Sequence, residues 1–150
     1  MSFIDKASCR ELTILPNSLN ASEALFGVFT HLEELVISRG CCNRASFFTL
    51  DSDSRHLRML RIEEECFNNN QGGPRVVSVK GLPVLESVSV GRRSFMFFER
   101  VEVESCPRLK TLCIGECREG VSPLLQREEK DYCFRSASVC VIRGACGCVV

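Results

Sequence analysis

One short pattern of apolar and polar positions recurs along the chain. In HLEELVISRG, HLRMLRIEEE, PVLESVSVGR and PRLKTLCIGE the order is apolar-x-x-apolar-x-apolar. It is filled by Leu32/Leu35/Ile37, Leu57/Leu60/Ile62, Leu85/Val88/Val90 and Leu109/Leu112/Ile114, with RELTIL as a weaker fifth copy through Leu12 and Ile14. The central positions 12, 35, 60, 88 and 112 are 23, 25, 28 and 24 residues apart. Between them lie FFTLDS, VVSVKG, RVEVES and SVCVIRG. Each alternates apolar and polar residues over about five positions, as a half-buried strand does. No long window places apolar residues at i, i+3, i+4 and i+7, so helix should be scarce. Two strand-like segments per recurring unit predict stacked coils.

The units align in detail. Val77/Val79 match Val101/Val103, Leu82-Pro83 match Cys106-Pro107, and Leu85 matches Leu109. The segments SRGCC, EEECF and GRRSF each place a small residue and then usually an apolar one in the same turn. NNNQGGP (68–74) is turn chemistry and accounts for the spacing of 28 as an enlarged loop. A charged insertion is expected at about 118–132 and an incomplete last repeat at 133–150. The predicted organisation is one solenoid over residues 1–150, mainly β, with about five irregular coils, two short parallel strands per coil and little helix.

These motifs resemble the leucine-rich repeat superfamily, most closely irregular arrays of the form LPxLxxLxIGxxSF. The resemblance covers approximately residues 9–115, with a degraded copy near 133–150. It implies a right-handed coil and a surface that binds other proteins. The asparagine that closes the standard LxxLxLxxN unit is absent, and Cys106 or Leu82 sits where Asn or Cys would be expected.

One such repeat cannot bury its own apolar edge. Strands stacked about 4.8 Å apart would put Leu35, Leu60, Val88 and Leu112 in one column. Side chains alternate faces along a strand, so the residues between must point outward. Glu34, Val36 and Ser38 are therefore expected on the outer ribbon, then Met59, Arg61 and Glu63, then Ser87 and Ser89, then Thr111 and Cys113. This ribbon is the candidate partner-binding surface. Ser78/Lys80 and Glu102/Glu104 form the competing face.

Charge narrows the partner. Lys plus Arg balance Asp plus Glu at 19 each, which argues against nucleic acid, since phosphate binding needs a basic surplus. No apolar run approaches the roughly 18 residues of a membrane span, so no membrane partner is expected. The start, MSFIDKASCRELTIL, lacks a basic region followed by an apolar one, so no secretory signal is expected. A reducing cytoplasmic setting follows for the 11 cysteines, with free thiols rather than a disulfide framework.

Aligned on the repeats, Cys106 takes the place of Leu82, Cys140 that of Val77, Cys148 that of Leu85, and Cys41 and Cys66 share a slot with Ser94. Small apolar filler is the reading this favours. The alternative is a cysteine-rich metal-binding or redox-responsive module. It would use a four-thiolate site of Cys133, Cys140, Cys146 and Cys148, or modification of exposed thiols such as Cys42 and Cys113.

His31 and His56 precede successive anchors and should stack on adjacent coils, at a solvated corner or, less simply, around one metal ion. Phe95, Phe97 and Phe98 are expected to pack between the two strands of a coil, with an exposed sticky patch as the alternative. The sequon at Asn20–Ser22 is expected to stay unmodified without a secretory signal. No G-x-S-x-G, phosphate-binding loop or dinucleotide fingerprint occurs, so neither catalysis nor a cofactor is expected. The expectation is a non-catalytic module that presents a strand surface to a protein partner whose identity the residues do not give. The apolar tail VCVIRGACGCVV would leave an open edge, exposed to self-association unless a partner or further coils cover it.

Overall fold

The computed structural model describes residues 8–19, 29–69, 75–114 and 139–143, with Ile114 and 139–143 described by backbone alone. Two parallel sheets run along a stack of coils. The first comprises β1 (Glu11–Ile14), β2 (Glu34–Ile37), β4 (Met59–Ile62), β6 (Ser87–Val90) and β8 (Thr111–Ile114), in that spatial order. The second comprises β3 (Phe47–Leu50), β5 (Val76–Lys80), β7 (Arg100–Glu104) and β9 (Val139–Arg143), also in that order. The only helical element among the described residues is a 3₁₀ turn, Ser52–Ser54, capped by Asp51, whose side chain accepts from the Asp53 amide. The protein is a mainly β solenoid of stacked parallel strands with almost no helix.

Register follows the sequence period. Leu12, Leu35, Leu60, Val88 and Leu112 are successive partners across the first sheet, as are Ile14, Ile37, Ile62, Val90 and Ile114. Across the second sheet run Phe48, Val77, Val101 and Cys140, then Leu50, Val79, Val103 and Ile142. Parallel strands need a crossover of a dozen or more residues. From β2 onward each crossover carries the strand of the opposite sheet, so both columns face one core. From β2 to β7 these positions are almost wholly buried, and a full Leu or Ile side chain there contributes about 1.5–3 kcal/mol. At β1 the same columns, Leu12 and Ile14, are only half-buried.

The turns after β2, β4 and β6 are built alike. Gly40-Cys41-Cys42, Glu65-Cys66-Phe67 and Arg93-Ser94-Phe95 each place positive-φ residues on both sides of the small central one. That side chain reaches back one coil. Cys41 Sγ donates to Leu15 O at 3.2 Å, Cys66 Sγ to Ser38 O at 3.2 Å and Ser94 Oγ to Glu63 O at 2.9 Å. Asparagines then take over, outside the position that closes the standard unit. Asn43 Oδ1 accepts from Asn68 N at 2.9 Å, and Asn68 Oδ1 from Met96 N at 3.1 Å. The two rungs lie beyond the standard position, which the Cys/Ser slot adjoins. Leu82 and Cys106 are not at that position at all. They are buried after the second-sheet strands, each following a positive-φ residue, Gly81 or Ser105.

The aromatic rings form a spine between the sheets. Phe67 stacks on Phe95 with centroids 4.5 Å apart and planes 6° from parallel, and Phe98 meets Phe95 edge-on at 5.0 Å. Phe95 and Phe98 are fully buried as expected, whereas Phe97 is half-buried. Gly91 is required by close approach: a Cβ there would lie 2.6 Å from the Glu63 carbonyl carbon and the Glu64 nitrogen.

A row of charge lies just before the first-sheet strands. Each of Arg10, Glu33, Arg58 and Glu86 accepts two amides of the next coil on its carbonyl, and Lys110 follows Glu86 in this series. Their signs alternate from coil to coil. Arg10 pairs with Glu33 at 3.3 Å and Arg58 with Glu86 at 3.1 Å.

Of the irregular segments expected from the sequence, the loop 68–74 keeps only Asn68 and Asn69 within the described residues. The insertion 118–132 lies outside them, as does the last repeat apart from β9. That strand pairs with β7 and sets Arg143 in register with Glu104, which is itself in register with Lys80.

Candidate functional site

The outward residues of the first sheet form two straight rows. One is Glu11, Glu34, Met59, Ser87 and Thr111; the other is Thr13, Val36, Arg61, Ser89 and Cys113. Eight of the ten residues expected on the outer ribbon, all except Ser38 and Glu63, therefore lie in these rows, one coil apart. Glu34, Arg61 and Thr111 are exposed, whereas Val36, Met59, Ser87, Ser89 and Cys113 are half-buried. Glu63 follows β4 rather than belonging to it. Its amide donates to Ile37 O, and its carboxylate lies 3.8 Å from Arg61 and accepts from the Arg39 amide. Ser38 does not face outward: it is buried, because its carbonyl must meet Cys66 in the turn.

Glu11 and Thr13 extend both rows to β1 and were legible in RELTIL, whose alternation matches that of the other strands. Glu11 and Glu34 stand directly opposite each other across the strand pair, an arrangement that repels rather than stabilises. Toward the far end of the strands, Arg39, Arg61, Glu63, Glu64, Ser89 and Gly91 line a shallow depression of about 390 Å³. Gly91 leaves it open, since it carries no side chain. The face thus offers an acidic corner, a central apolar pair in Val36 and Met59, an arginine and a run of hydroxyls.

The competing face is more internally paired. Lys80 Nζ lies 2.7 Å from Glu102, which also accepts from Arg100. Lys80 and then Arg100 hold the Glu102 carboxyl below the usual carboxylate range, and Glu102 raises the Lys80 amine.

The cysteines divide. Cys41, Cys42, Cys66 and Cys106 are buried free thiols, and Cys9 is a half-buried one. Burial pushes Cys42 up to about 12 and Cys66 up to about 11, and raises Cys106 as well. Such thiols are poor nucleophiles at neutral pH because the thiolate is the reactive form. Cys42 was expected among the exposed thiols. Instead it occupies the inward position held by Phe67 and Phe95 in later coils. Cys113 is half-buried and disulfide-bonded, which corrects the expectation that every thiol is free. The four-thiolate set of Cys133, Cys140, Cys146 and Cys148 lies outside the residues whose side chains are described.

His31 and His56 stack as the repeat predicts, with centroids 5.1 Å apart and planes 12° from parallel, on an exposed corner. Among the described residues no group of three or more His, Cys, Asp or Glu side chains is placed to hold a metal ion. No helix among them is long and apolar enough to cross a membrane.

The class defined by this geometry is the parallel β-solenoid. Compared with protein-family models, with curated proteins and with solved structures, the chain gives no match.

Proposed function

We propose that the protein is a non-catalytic interaction module of leucine-rich-repeat character, which binds a protein partner on the outward face of its first sheet. One observation carries this reading: register across β1, β2, β4, β6 and β8 gathers residues from five coils into two rows with mixed chemistry. Extended, regular sheets of this kind are the surfaces by which solenoids bind proteins. Arg61 is the anchor, because arginine is enriched where interfaces concentrate their energy and Val36 lies beside it in the same row. The reading needs neither metal nor cofactor. The buried free thiols support structural filler over a redox sensor.

Affinity capture with wild type, Arg61→Glu and Glu34→Lys tests the face, with thermal unfolding as a control for folding. Both variants should retain the fold, and Glu34→Lys should if anything gain stability by relieving the contact with Glu11. Partners captured by wild type should be lost from at least one variant. Retention of every partner by both would place the binding surface elsewhere.

A further inference from the structure

We propose that His31 and His56 form a two-imidazole site for a divalent first-row transition ion of the zinc, copper and nickel class, which clasps two successive coils at their corner. This does not rest on the use of the outward face. Both histidines stand four residues ahead of a central column residue, Leu35 and Leu60, and those two are register partners. Parallel stacking therefore brings the rings together. Their centroids lie 5.1 Å apart, and both residues are exposed. Ser8, Val84 and Arg108 hold the same place in the other coils, so the pair occurs once along the repeat.

The separation is the one a shared ion requires. When two ring nitrogens each lie about 2.0–2.1 Å from a tetrahedral ion, the ring centroids fall about 5 Å apart. The planes are 12° from parallel, so ligation needs each ring to turn until its nitrogen points at the ion. The terminal torsion of histidine is broad and both rings face water, so that turn is cheap. Thr30 selects the ligating atom of His31, because its Oγ1 lies 3.2 Å from Nδ1. With Nδ1–H donating to that oxygen, the Nε2 lone pair is left for the ion. A partner on the other ring nitrogen is what orients a metal-bound histidine. Imidazole suits zinc, copper and nickel, whereas magnesium and calcium prefer oxygen. Two protein ligands leave the remaining positions to water, so the ion exchanges readily.

Titration calorimetry of the full chain with Zn²⁺, and with Mg²⁺ for comparison, tests the site. Wild type should bind Zn²⁺, and His31→Ala and His56→Ala should each weaken this binding about a hundredfold, since each removes one of two linked ligands. Thr30→Ala should weaken it about tenfold while leaving both ligands in place. Zn²⁺ should also raise the melting temperature of wild type but not of the double variant, each measured against its own melt in chelator. The proposal is overturned if wild type binds no Zn²⁺ or if Mg²⁺ binds as tightly. It is also overturned if either histidine substitution leaves the Zn²⁺ affinity unchanged, which would place the ion on the cysteines.

Discussion

Truncating Leu60 to alanine tests the central column where it is strongest. Leu60 is 1% exposed, with Leu35 in register on one side and Val88 on the other. The change removes three carbon groups at about 0.8 kcal/mol each, or about 2.4 kcal/mol of transfer free energy. The hole is walled by strands whose spacing is fixed by backbone hydrogen bonds, so it closes little, and a cavity contribution of about 1 kcal/mol is added. The expected loss is about 3–4 kcal/mol. Leu12→Ala is the internal control. Leu12 occupies the same column at its end, half-exposed and with Leu35 as its only partner in the sheet among the described residues. With part of the transfer term and no closed cavity, its loss should be about 1–1.5 kcal/mol. Urea unfolding followed by circular dichroism reads both, provided the slope with denaturant stays constant. Equal losses at the two positions, or a loss below about 1 kcal/mol at Leu60, would refute the continuous column.

Three further outcomes are expected. Gly91→Ala should cost about 1–3 kcal/mol by forcing a Cβ against the backbone of the previous coil, and a melt indistinguishable from wild type would contradict that close approach. In native protein at pH 8, Cys42 and Cys66 should alkylate far more slowly than after unfolding, because burial keeps both thiols protonated; mass spectrometry that found either labelled in an early burst would count against this. The depressed Glu102 carboxyl contributes stability above the ordinary carboxylate pKa, and this is lost as pH falls through its folded value. The raised Lys80 amine contributes below the ordinary lysine pKa, and this is lost as pH rises through its own folded value. Glu102→Gln should therefore flatten the acid limb of a stability-versus-pH curve, and an unchanged limb would argue against the pairing.

The stacked coils were legible because each coil must bury the same two apolar rows, which forces Leu60 to match Leu35 and Ile62 to match Ile37. The outward rows followed from strand alternation, with no further information needed. What alternation could not give was the turns. Ser38 and Glu63 follow the last strand residue, where the chain leaves the pleat, so extending the face to them placed one inside and the other in the turn. Cys42 was misplaced although Phe67 and Phe95 hold the same position and are plainly core residues. The asparagine rungs at Asn43 and Asn68 fell outside the standard motif, yet they lie six residues after Ile37 and Ile62 respectively. The charge row was also readable, as the residue ahead of each first-sheet strand, but a charged side chain at a strand end looks like ordinary solvated surface until its neighbours are known.

The alternating row beside the first sheet sets a rule for how such a molecule could change length. Its apolar columns repeat with every winding, whereas its signs repeat only with every second one. Excising a single winding would leave the greasy spine intact but bring two cations or two anions side by side. Excising or duplicating two neighbouring windings preserves both patterns. The natural unit of growth is a pair of windings.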